Sequence, residues 1–263
     1  NMLTNAAAII GNGAGSKNTD EEVYKNIYKH GKKRVHPLAI LKGMHSAVAS
    51  SVSKHLGVKG PVFSVSSACS SGAHAIIQGS MMIKQGLVDV ALVGGTDAPF
   101  PYVLLKAWEA LRVVSDDVCR PFSKNRNGMS LGEGAAVLVL ESEEHAKKRG
   151  AHIYAELAGF GMSSDAGHVT RPDVDGIAKA MEMALQNADI TAGEVDYINA
   201  HGTGTQANDQ AETQAIHQVF GKHAEQLPVS STKSMHGHVL GASSAIELVA
   251  TILAMQHSIM PPT

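Results

Sequence analysis

Short apolar runs alternate with longer amphipathic segments along most of the chain. The apolar runs, bounded by glycine, proline and small polar residues, predict buried strands at 6–10, 62–68, 90–95, 135–141, 154–161, 195–202 and 227–233. Helical spacing of apolar positions predicts helices at 21–30, 41–56, 70–86, 104–113, 175–188, 208–220 and 242–257. This alternation, with strands that are apolar throughout, predicts an α/β protein whose largely parallel sheet is covered on both faces.

The composition is that of a globular protein and excludes several function classes. The 263 residues are 44% hydrophobic, and 22 Lys and Arg residues nearly balance 24 Asp and Glu residues. A net charge of −2 gives no general attraction to nucleic acid or to an anionic membrane. No apolar run reaches the length of a membrane span. The two cysteines, Cys69 and Cys119, lack a CxxC spacing, which favours the reducing cytoplasm over a disulfide framework or structural zinc.

A glycine-rich stretch near the start of the chain resembles a dinucleotide-binding loop only superficially. In IIGNGAGS, Gly11, Gly13 and Gly15 follow a predicted strand. The third glycine falls at the wrong spacing, and the next segment has no clean junction between a glycine and a helix. We therefore do not expect a nucleotide site in this loop.

Cys69 lies between a strand pattern that ends near Ala68 and a helix pattern that begins near Ser70. At a helix N-terminus, unpaired N–H groups and the helix dipole favour an anion and lower the pKa of a thiol. The small neighbouring residues leave room for a substrate. Free cysteine is also among the most buried residue types, so this stretch alone fits either an inert core thiol or a nucleophile.

Two later segments favour a nucleophile. The stretch NAHGTGTQANDQAE carries His201 in a loop after a predicted strand, and SSTKSMHGHVLGASSAIE carries Lys233 and His238 after another. Open α/β sheets place their sites at the carboxyl ends of strands. The histidines of these segments could also bind a metal, but no Asp or Glu has a suitable ligand spacing, so no metal site is expected.

These segments together resemble the β-ketoacyl-acyl-carrier-protein synthases, and the synthase II type most closely. SACSSGAHA resembles the nucleophile motif, NAHGTGT the first histidine motif, and SSTKSMHGHVLGA the lysine and second histidine motif, in the order found in the family. RPFSKNRNGMSLGEGAAVLVLE and AKKRGAHIYAELAGFGMSSDA extend the likeness to nearly all of the chain.

The resemblance implies a thiolase-like fold, in which two similar α/β halves form a five-layer αβαβα arrangement. The implied halves are residues 1–150, with the nucleophile, and residues 151–263, with the histidine and lysine motifs and incomplete. Compared with the family, we expect the opening strand and helix and the final strands to be missing. No internal repeat is readable in the sequence, so the duplication is taken from the resemblance.

By this resemblance the activity is a decarboxylative Claisen condensation in fatty acid or polyketide synthesis. Cys69 accepts an acyl group as a thioester, and His201 and His238 donate hydrogen bonds to the enolate oxygen formed when malonyl-acyl carrier protein loses CO2. Lys233 supports the histidines electrostatically. Three acidic residues match the positions of its supporting partners in the family: Asp209, Glu212 and Glu247.

The resemblance also implies the partners. The substrates are carried on the phosphopantetheine of acyl carrier protein, so no cofactor of the enzyme itself is expected. Because the carrier is acidic, it needs a local basic patch. Arg112 matches the docking arginine of synthase II enzymes, Lys124 and Arg126 extend the patch, and the expected assembly is a homodimer.

Four other classes of protein would each be expected to carry site residues that differ from those of this chain. A thiolase-type acyltransferase uses a second cysteine near its C-terminus and lacks the lysine motif. A non-catalytic partner subunit, such as a chain-length factor, usually loses the cysteine that this chain keeps. Synthase III enzymes have asparagine where this chain has His238, and a cysteine hydrolase does not require Lys233 and a second histidine.

Overall fold

The structure, a computed structural model, describes residues 2–98 and 100–263. The chain divides into two compact units, each formed by three segments. Unit 1 comprises residues 1–112, 131–153 and 238–249, and unit 2 comprises residues 113–130, 154–237 and 250–263. The family resemblance implied a division near residue 150. The chain passes from unit 1 to unit 2 after residue 153, close to that division. Two segments depart from a simple division, because 113–130 belongs to unit 2 and 238–249 belongs to unit 1.

Unit 1 contains a four-stranded sheet in the order β2-β1-β3-β4. Its strands are β1 (Ala7–Gly11), β2 (Val62–Val65), β3 (Val90–Asp97) and β4 (Gly134–Glu141). β1 pairs in parallel with β2 and with β3, so that Ile9 lies between Phe63 and Val93. The carboxyl ends of these three parallel strands therefore meet at one edge of the sheet, where the segments that follow them begin.

The predicted burial is confirmed for β1 and β3 but is wrong for β2 and β4, whose residues are half-buried or exposed. Every residue of β1 is buried, and so is β3 apart from Thr96. β4 is the exception to the parallel arrangement, because it runs antiparallel to β3 and its residues alternate between half-buried and exposed, with Val137 and Val139 exposed. Such alternation is typical of an antiparallel strand with one open face.

The helices of unit 1 largely follow the predicted positions. They are α1 (Lys17–Tyr24), continued by a π-helix (Lys25–Lys29), α2 (Ala39–Gly43), α3 (Ala47–Leu56), α4 (Ser71–Lys84), α5 (Tyr102–Ala110) and α6 (Glu143–Lys148). The helix predicted over 41–56 is divided into α2 and α3, because the extended backbone of Met44 ends α2. α4 packs against β1 and β3, and Ala8, Val58 and Leu92 form a buried cluster.

Unit 2 is built mainly from helices. Its sheet has two parallel strands, β5 (Ile198–Asn199) and β6 (Val229–Ser230). Its helices are α7 (Val174–Ala188), α8 (Gln206–Phe220) and α9 (Lys233–His236), with 3-10 turns at Ala192–Glu194 and Gly221–Glu225. Ile216, Phe220 and Leu227 form its core. The next elements in sequence are a 3-10 turn (Leu240–Ala242), which belongs to unit 1, and α10 (Ser243–His257), whose residues up to 249 also belong to unit 1. No helix of the described residues is both long and apolar enough to cross a bilayer.

One predicted strand is wrong. Segment 154–161 belongs to neither sheet and has no regular secondary structure. A strand needs a hydrogen-bonded neighbouring strand, whereas two backbone groups of this segment bond to side chains. Phe160 N–H donates to Asn187 Oδ1 of α7 at 3.2 Å, and the Gln256 side chain donates to the Tyr154 carbonyl at 2.7 Å. The predicted strands at 195–202 and 227–233 are present only as the short β5 and β6.

Gly94 marks a position in β3 that has no room for a side chain. Its φ is +156°, and an added Cβ would lie 2.0 Å from the Ala136 carbonyl oxygen of β4. We expect Gly94→Ala to lower the free energy of unfolding in urea by about 2–5 kcal/mol, because backbone strain and displacement of β4 add together.

Gly86→Ala is the matched control. Gly86 also has a positive φ, +70°, but an added Cβ would meet nothing within 4 Å. Only the backbone strain, about 1–2 kcal/mol, is then expected. Equal losses for the two variants would contradict the tight packing of β3 against β4.

Candidate active site

Cys69 lies in a tight turn between β2 and α4. Ala68, just before it, has a φ of +52°, a left-handed conformation that costs a residue with a Cβ about 1 kcal/mol or more. Ser71 closes the turn: its hydroxyl donates to the Ala68 carbonyl at 2.6 Å and accepts from Ser67 N–H at 2.9 Å. The Cys69 thiol is half-buried. Because Cys69 comes two residues before the first residue of α4, it lies beside the positive end of the helix dipole.

Ser67, before Cys69, makes two further hydrogen bonds that hold the same turn. His74 Nδ1 lies 2.5 Å from the Ser67 hydroxyl, and the Ser70 hydroxyl donates to the Ser67 carbonyl at 2.8 Å. The turn that presents Cys69 is thus fixed by side chains on both sides of the cysteine. The sequence analysis predicted the strand-to-helix junction but not these serine and histidine contacts.

His238 is buried in unit 1, with 1% of its surface exposed, in a turn before α10. Its Nδ1 accepts a hydrogen bond from Leu240 N–H at 3.1 Å and lies 3.0 Å from the Ser243 hydroxyl. That hydroxyl accepts from Val239 N–H at 2.9 Å, so its own hydrogen is available for Nδ1. With Nδ1 occupied as an acceptor, the neutral ring carries its proton on Nε2, which makes Nε2–H a hydrogen-bond donor.

Unit 1 brings Cys69 and His238 together. The Cys69 sulfur and a ring nitrogen of His238 lie within 4.8 Å of each other. A thiol and an imidazole at this distance can serve nucleophilic catalysis, and both are also metal ligands.

His201 lies in unit 2, in the loop between β5 and α8. The Glu212 carboxylate of α8 fixes this loop by accepting from His201 N–H at 2.6 Å and from Gly202 N–H at 2.8 Å. Burial raises the pKa of Glu212, while the Gly202 and His201 N–H groups and the charge of Lys233 act in the opposite direction. The family resemblance placed Glu212 among the partners of Lys233; in unit 2 its carboxylate accepts from the backbone of the His201 loop and from the Asn208 side chain at 3.2 Å.

Lys233 is completely buried at the start of α9. Its ammonium donates to the His201 carbonyl at 2.6 Å and lies 3.4 Å from His201 Nδ1. A donor on Nδ1 again leaves the neutral imidazole with its proton on Nε2. Unit 2 therefore brings Lys233 next to His201, and the lysine charge lies beside the ring.

Asp209 and Arg126 hold the far end of the same loop. Asp209 is buried and accepts from Phe122 N–H at 2.7 Å and from Gly204 N–H at 3.2 Å. Arg126 lies 3.5 Å from the Asp209 carboxylate and donates to the Thr205 carbonyl at 3.3 Å. Only 16% of the Arg126 side chain is exposed, so these contacts favour an internal role for a residue that we predicted to dock a partner.

The second cysteine differs from the first. Cys119 is buried in unit 2, and its thiol donates to the Thr203 carbonyl at 3.3 Å, beneath the His201 loop. Burial raises the pKa of the Cys119 thiol, as does the Asp209 charge. A thiol with a raised pKa forms little thiolate at neutral pH, so Cys119 is a packing residue of the loop.

The other predicted residues are one buried acid and two exposed cations. Glu247 is buried in α10, within unit 1. Arg112 is exposed at the end of α5 in unit 1, and Lys124 is exposed in unit 2. The sequence analysis missed Ser243, which binds His238, and Asp97, whose carboxylate accepts from the backbone of the His238 turn. The one available indication was that Asp97 is an acid at the carboxyl end of a buried strand.

Comparison with known proteins identifies the family. Residues 2–146 match "Beta-ketoacyl synthase, N-terminal domain", and residues 154–263 match "Beta-ketoacyl synthase, C-terminal domain". Nodulation protein E of Rhizobium meliloti (strain 1021) is 51% identical over 256 residues, which cover 97% of this chain and 64% of the relative. A 3-oxoacyl-[acyl-carrier-protein] synthase 2 of Coxiella burnetii is 42% identical over 271 residues, covering 99% of this chain and 66% of the relative.

The fold agrees with the sequence comparison. The structure of the ishigamide ketosynthase/chain length factor superimposes with a TM-score of 0.92 at 36% identity, over 99% of this chain and 65% of that one. This match confirms the predicted α/β class and the thiolase-like fold of ketosynthases. The chain spans 64–66% of the length of these three relatives. With both halves of the family matched in order, the chain belongs to the β-ketoacyl synthase family.

Proposed function

We propose that this chain carries out the decarboxylative Claisen condensation of an acyl group with malonyl-acyl carrier protein, giving 3-oxoacyl-acyl carrier protein for fatty acid or polyketide synthesis. The observation that carries the proposal is the pairing in unit 1 of a half-buried thiol with an imidazole less than 4.8 Å away, whose Nδ1 is occupied as an acceptor. That ring offers Nε2–H to a negatively charged oxygen. Membership of the family supports the same activity.

The first stage is acyl transfer to Cys69. The sulfur attacks the thioester carbonyl of an acyl chain on the carrier, the bond to the phosphopantetheine sulfur breaks, and the carrier leaves as a thiol with the cysteine proton. The position of Cys69 ahead of α4 stabilises the thiolate that attacks. The left-handed turn at Ala68 presents the sulfur outside the helix.

The second stage is condensation. Malonyl-carrier loses CO2, and the electron pair of the broken bond forms an enolate whose carbon attacks the acyl group on Cys69. The tetrahedral intermediate then releases the Cys69 thiolate and the extended chain. Because CO2 loss creates the carbanion, the reaction needs donors to the enolate oxygen more than a strong base. His238 supplies such a donor, and the motif resemblance assigns His201 and Lys233 to the same step.

The alternatives fit the contacts less well. A thiolase-type reaction needs a second reactive cysteine, and Cys119 is buried with a raised thiol pKa. A chain-length-factor-like subunit does not need a nucleophile, whereas this chain keeps Cys69 next to His238. The proposed reaction requires no cofactor of the enzyme, since the phosphopantetheine arm belongs to the carrier.

We also propose a cytoplasmic homodimer that receives acyl carrier protein at a basic surface. The relative from Coxiella burnetii is named for its carrier-bound substrate, which supports the carrier as partner. Arg112 and Lys124 are exposed cations that can meet an acidic carrier.

The edge strand β2 supports the homodimer. β2 lies at the edge of its sheet, and 38% of Phe63 within it is exposed, so a second copy can pair along this strand.

Selective alkylation tests the assignment of the nucleophile. At pH 7.5 we expect iodoacetamide to modify Cys69 about tenfold or more faster than Cys119, because burial raises the pKa of the Cys119 thiol. Mass spectrometry of the tryptic peptides measures both rates. In Cys69→Ser only Cys119 remains, so alkylation should be slow and should become faster as the pH rises. Equal rates for the two cysteines in the wild type would show that Cys69 is not unusually reactive.

His201→Ala separates the two stages. We expect condensation to slow by about 100- to 1,000-fold, because one donor to the enolate oxygen is lost, while acylation of Cys69 persists. The intact-protein mass reports acylation, and the mass of the carrier product reports condensation. His217→Ala, an exposed histidine of α8, is the control and should leave both unchanged. Equal loss of both stages in His201→Ala would argue against the assignment.

Charge reversal tests carrier docking. Arg112→Glu should weaken carrier binding about tenfold at low salt and change it little at high salt, because exposed charges are screened. Lys148→Glu makes the same change of charge at an exposed position of α6 for which we expect no docking role. Fluorescence anisotropy of a labelled carrier measures both. If the two variants weaken binding equally, the effect is one of net charge and Arg112 is not a docking residue.

A further inference from the structure

The glycine-rich loop after β1 is bound by a carboxylate of the chain itself. Gly13 N–H donates to Asp97 Oδ2 at 2.7 Å, and Ala14 N–H donates to Asp97 Oδ1 at 3.0 Å. Asp97 ends β3, beside β1 in the sheet, and only 4% of it is exposed. The N–H groups that would hold a phosphate in a nucleotide-binding loop therefore hold an internal anion.

The same carboxylate binds a third N–H group in a distant part of the sequence. Gly241 N–H donates to Asp97 Oδ2 at 2.7 Å. The two loops are in backbone contact, since a Cβ on Gly241 would lie 2.3 Å from Gly13 N. None of the ion pairs among the described residues includes Asp97. Three backbone donors, rather than a cation, thus stabilise this buried charge.

Gly241 connects this contact to His238. It is the middle residue of the 3-10 turn Leu240–Ala242, which begins two residues after His238. Leu240, with a φ of +45°, is in a strained conformation and donates its N–H to His238 Nδ1. A strained turn persists only where its surroundings hold it, and the Asp97 bond to the next residue holds this one. The Ser243 hydroxyl also lies at Nδ1, so the Asp97 carboxylate holds one of two donors there, Leu240 N–H.

We propose that Asp97 is a positioning residue for His238: it fastens the turn after His238 to the glycine-rich loop, and so keeps Leu240 N–H on Nδ1 and the ring proton on Nε2. The role of Nε2–H in condensation rests on the proposed function. The role of Asp97 in holding the turn and the tautomer of His238 does not depend on it. It also assigns the glycine-rich loop a role, because Gly13 and Gly241 approach too closely for either to carry a side chain without displacement.

The tautomer of His238 tests the proposal without any assay of activity. In the full chain with 15N-labelled histidine, long-range 1H–15N spectra distinguish a protonated from an unprotonated Nδ1, and His238→Gln identifies the signals of His238. We expect the wild type to show proton only on Nε2. Asp97→Asn, which replaces one acceptor oxygen by a donor, should give a second population with Nδ1 protonated. An unchanged pattern in a folded Asp97→Asn protein would overturn the proposal.

A second variant covers the case in which Asp97→Asn does not fold. Asp97→Glu keeps the charge but moves the oxygens by one methylene group, and the His238 signals should shift in it as well. Glu21→Gln is the matched control, because Glu21 also accepts a backbone N–H in unit 1, from Val103 at 3.0 Å, at a half-buried position away from His238 in sequence. His238 signals that move equally in Glu21→Gln would show a general loss of structure and contradict a specific role.

Kinetics supply the functional readout. Asp97→Asn should slow condensation about 100-fold, since a small displacement of a catalytic group has effects of that size, while alkylation of Cys69 by iodoacetamide keeps its rate. Loss of both by the same factor would reduce Asp97 to a structural residue. If the wild type makes no extended product, the proposed condensation fails, yet the tautomer comparison still decides the role of Asp97.

Discussion

Buried carboxylates that bind backbone N–H groups are the interaction on which the functional loops depend. Glu212 binds the N–H groups of His201 and Gly202, and Asp209 binds those of Phe122 and Gly204. Asp97 binds two N–H groups of the glycine-rich loop and one of the turn after His238. Loops cannot satisfy their own polar groups as helices and strands do. An ionised carboxylate offers several acceptor sites in one place, and these bonds offset part of the cost of its burial.

This arrangement explains why the regular elements can be short where the chemistry is. β5 has two residues and α9 has four, too few to fix a histidine or a lysine by their own hydrogen bonds. The adjoining helices α8 and α10 are each 15 residues long and supply the acidic and hydroxyl side chains that hold the loops. The long elements thus hold the loops and turns that carry Cys69, His201 and His238.

The sequence predicted local features well and distant pairings poorly. The junction at Cys69 was predicted because a strand pattern and a helix pattern meet there within a few residues. The antiparallel direction of β4 and the absence of a strand at 154–161 could not be read from local patterns, since both depend on which segment lies alongside. The contacts of Asp97 could not be predicted either, because Gly13 and Gly241 are 84 and 144 residues away from it in sequence. The pairing of Lys233 with His201 was predicted only through the family resemblance.

The left-handed backbone at Ala68 has a practical meaning for mutational surveys. A β-branched side chain fits this conformation badly, whereas glycine or asparagine adopts it readily. Damage from valine or isoleucine at this position would look like damage to the chemistry of the adjacent cysteine, although no reacting group had changed. An alanine scan passes over the position entirely, because the chain already carries alanine there.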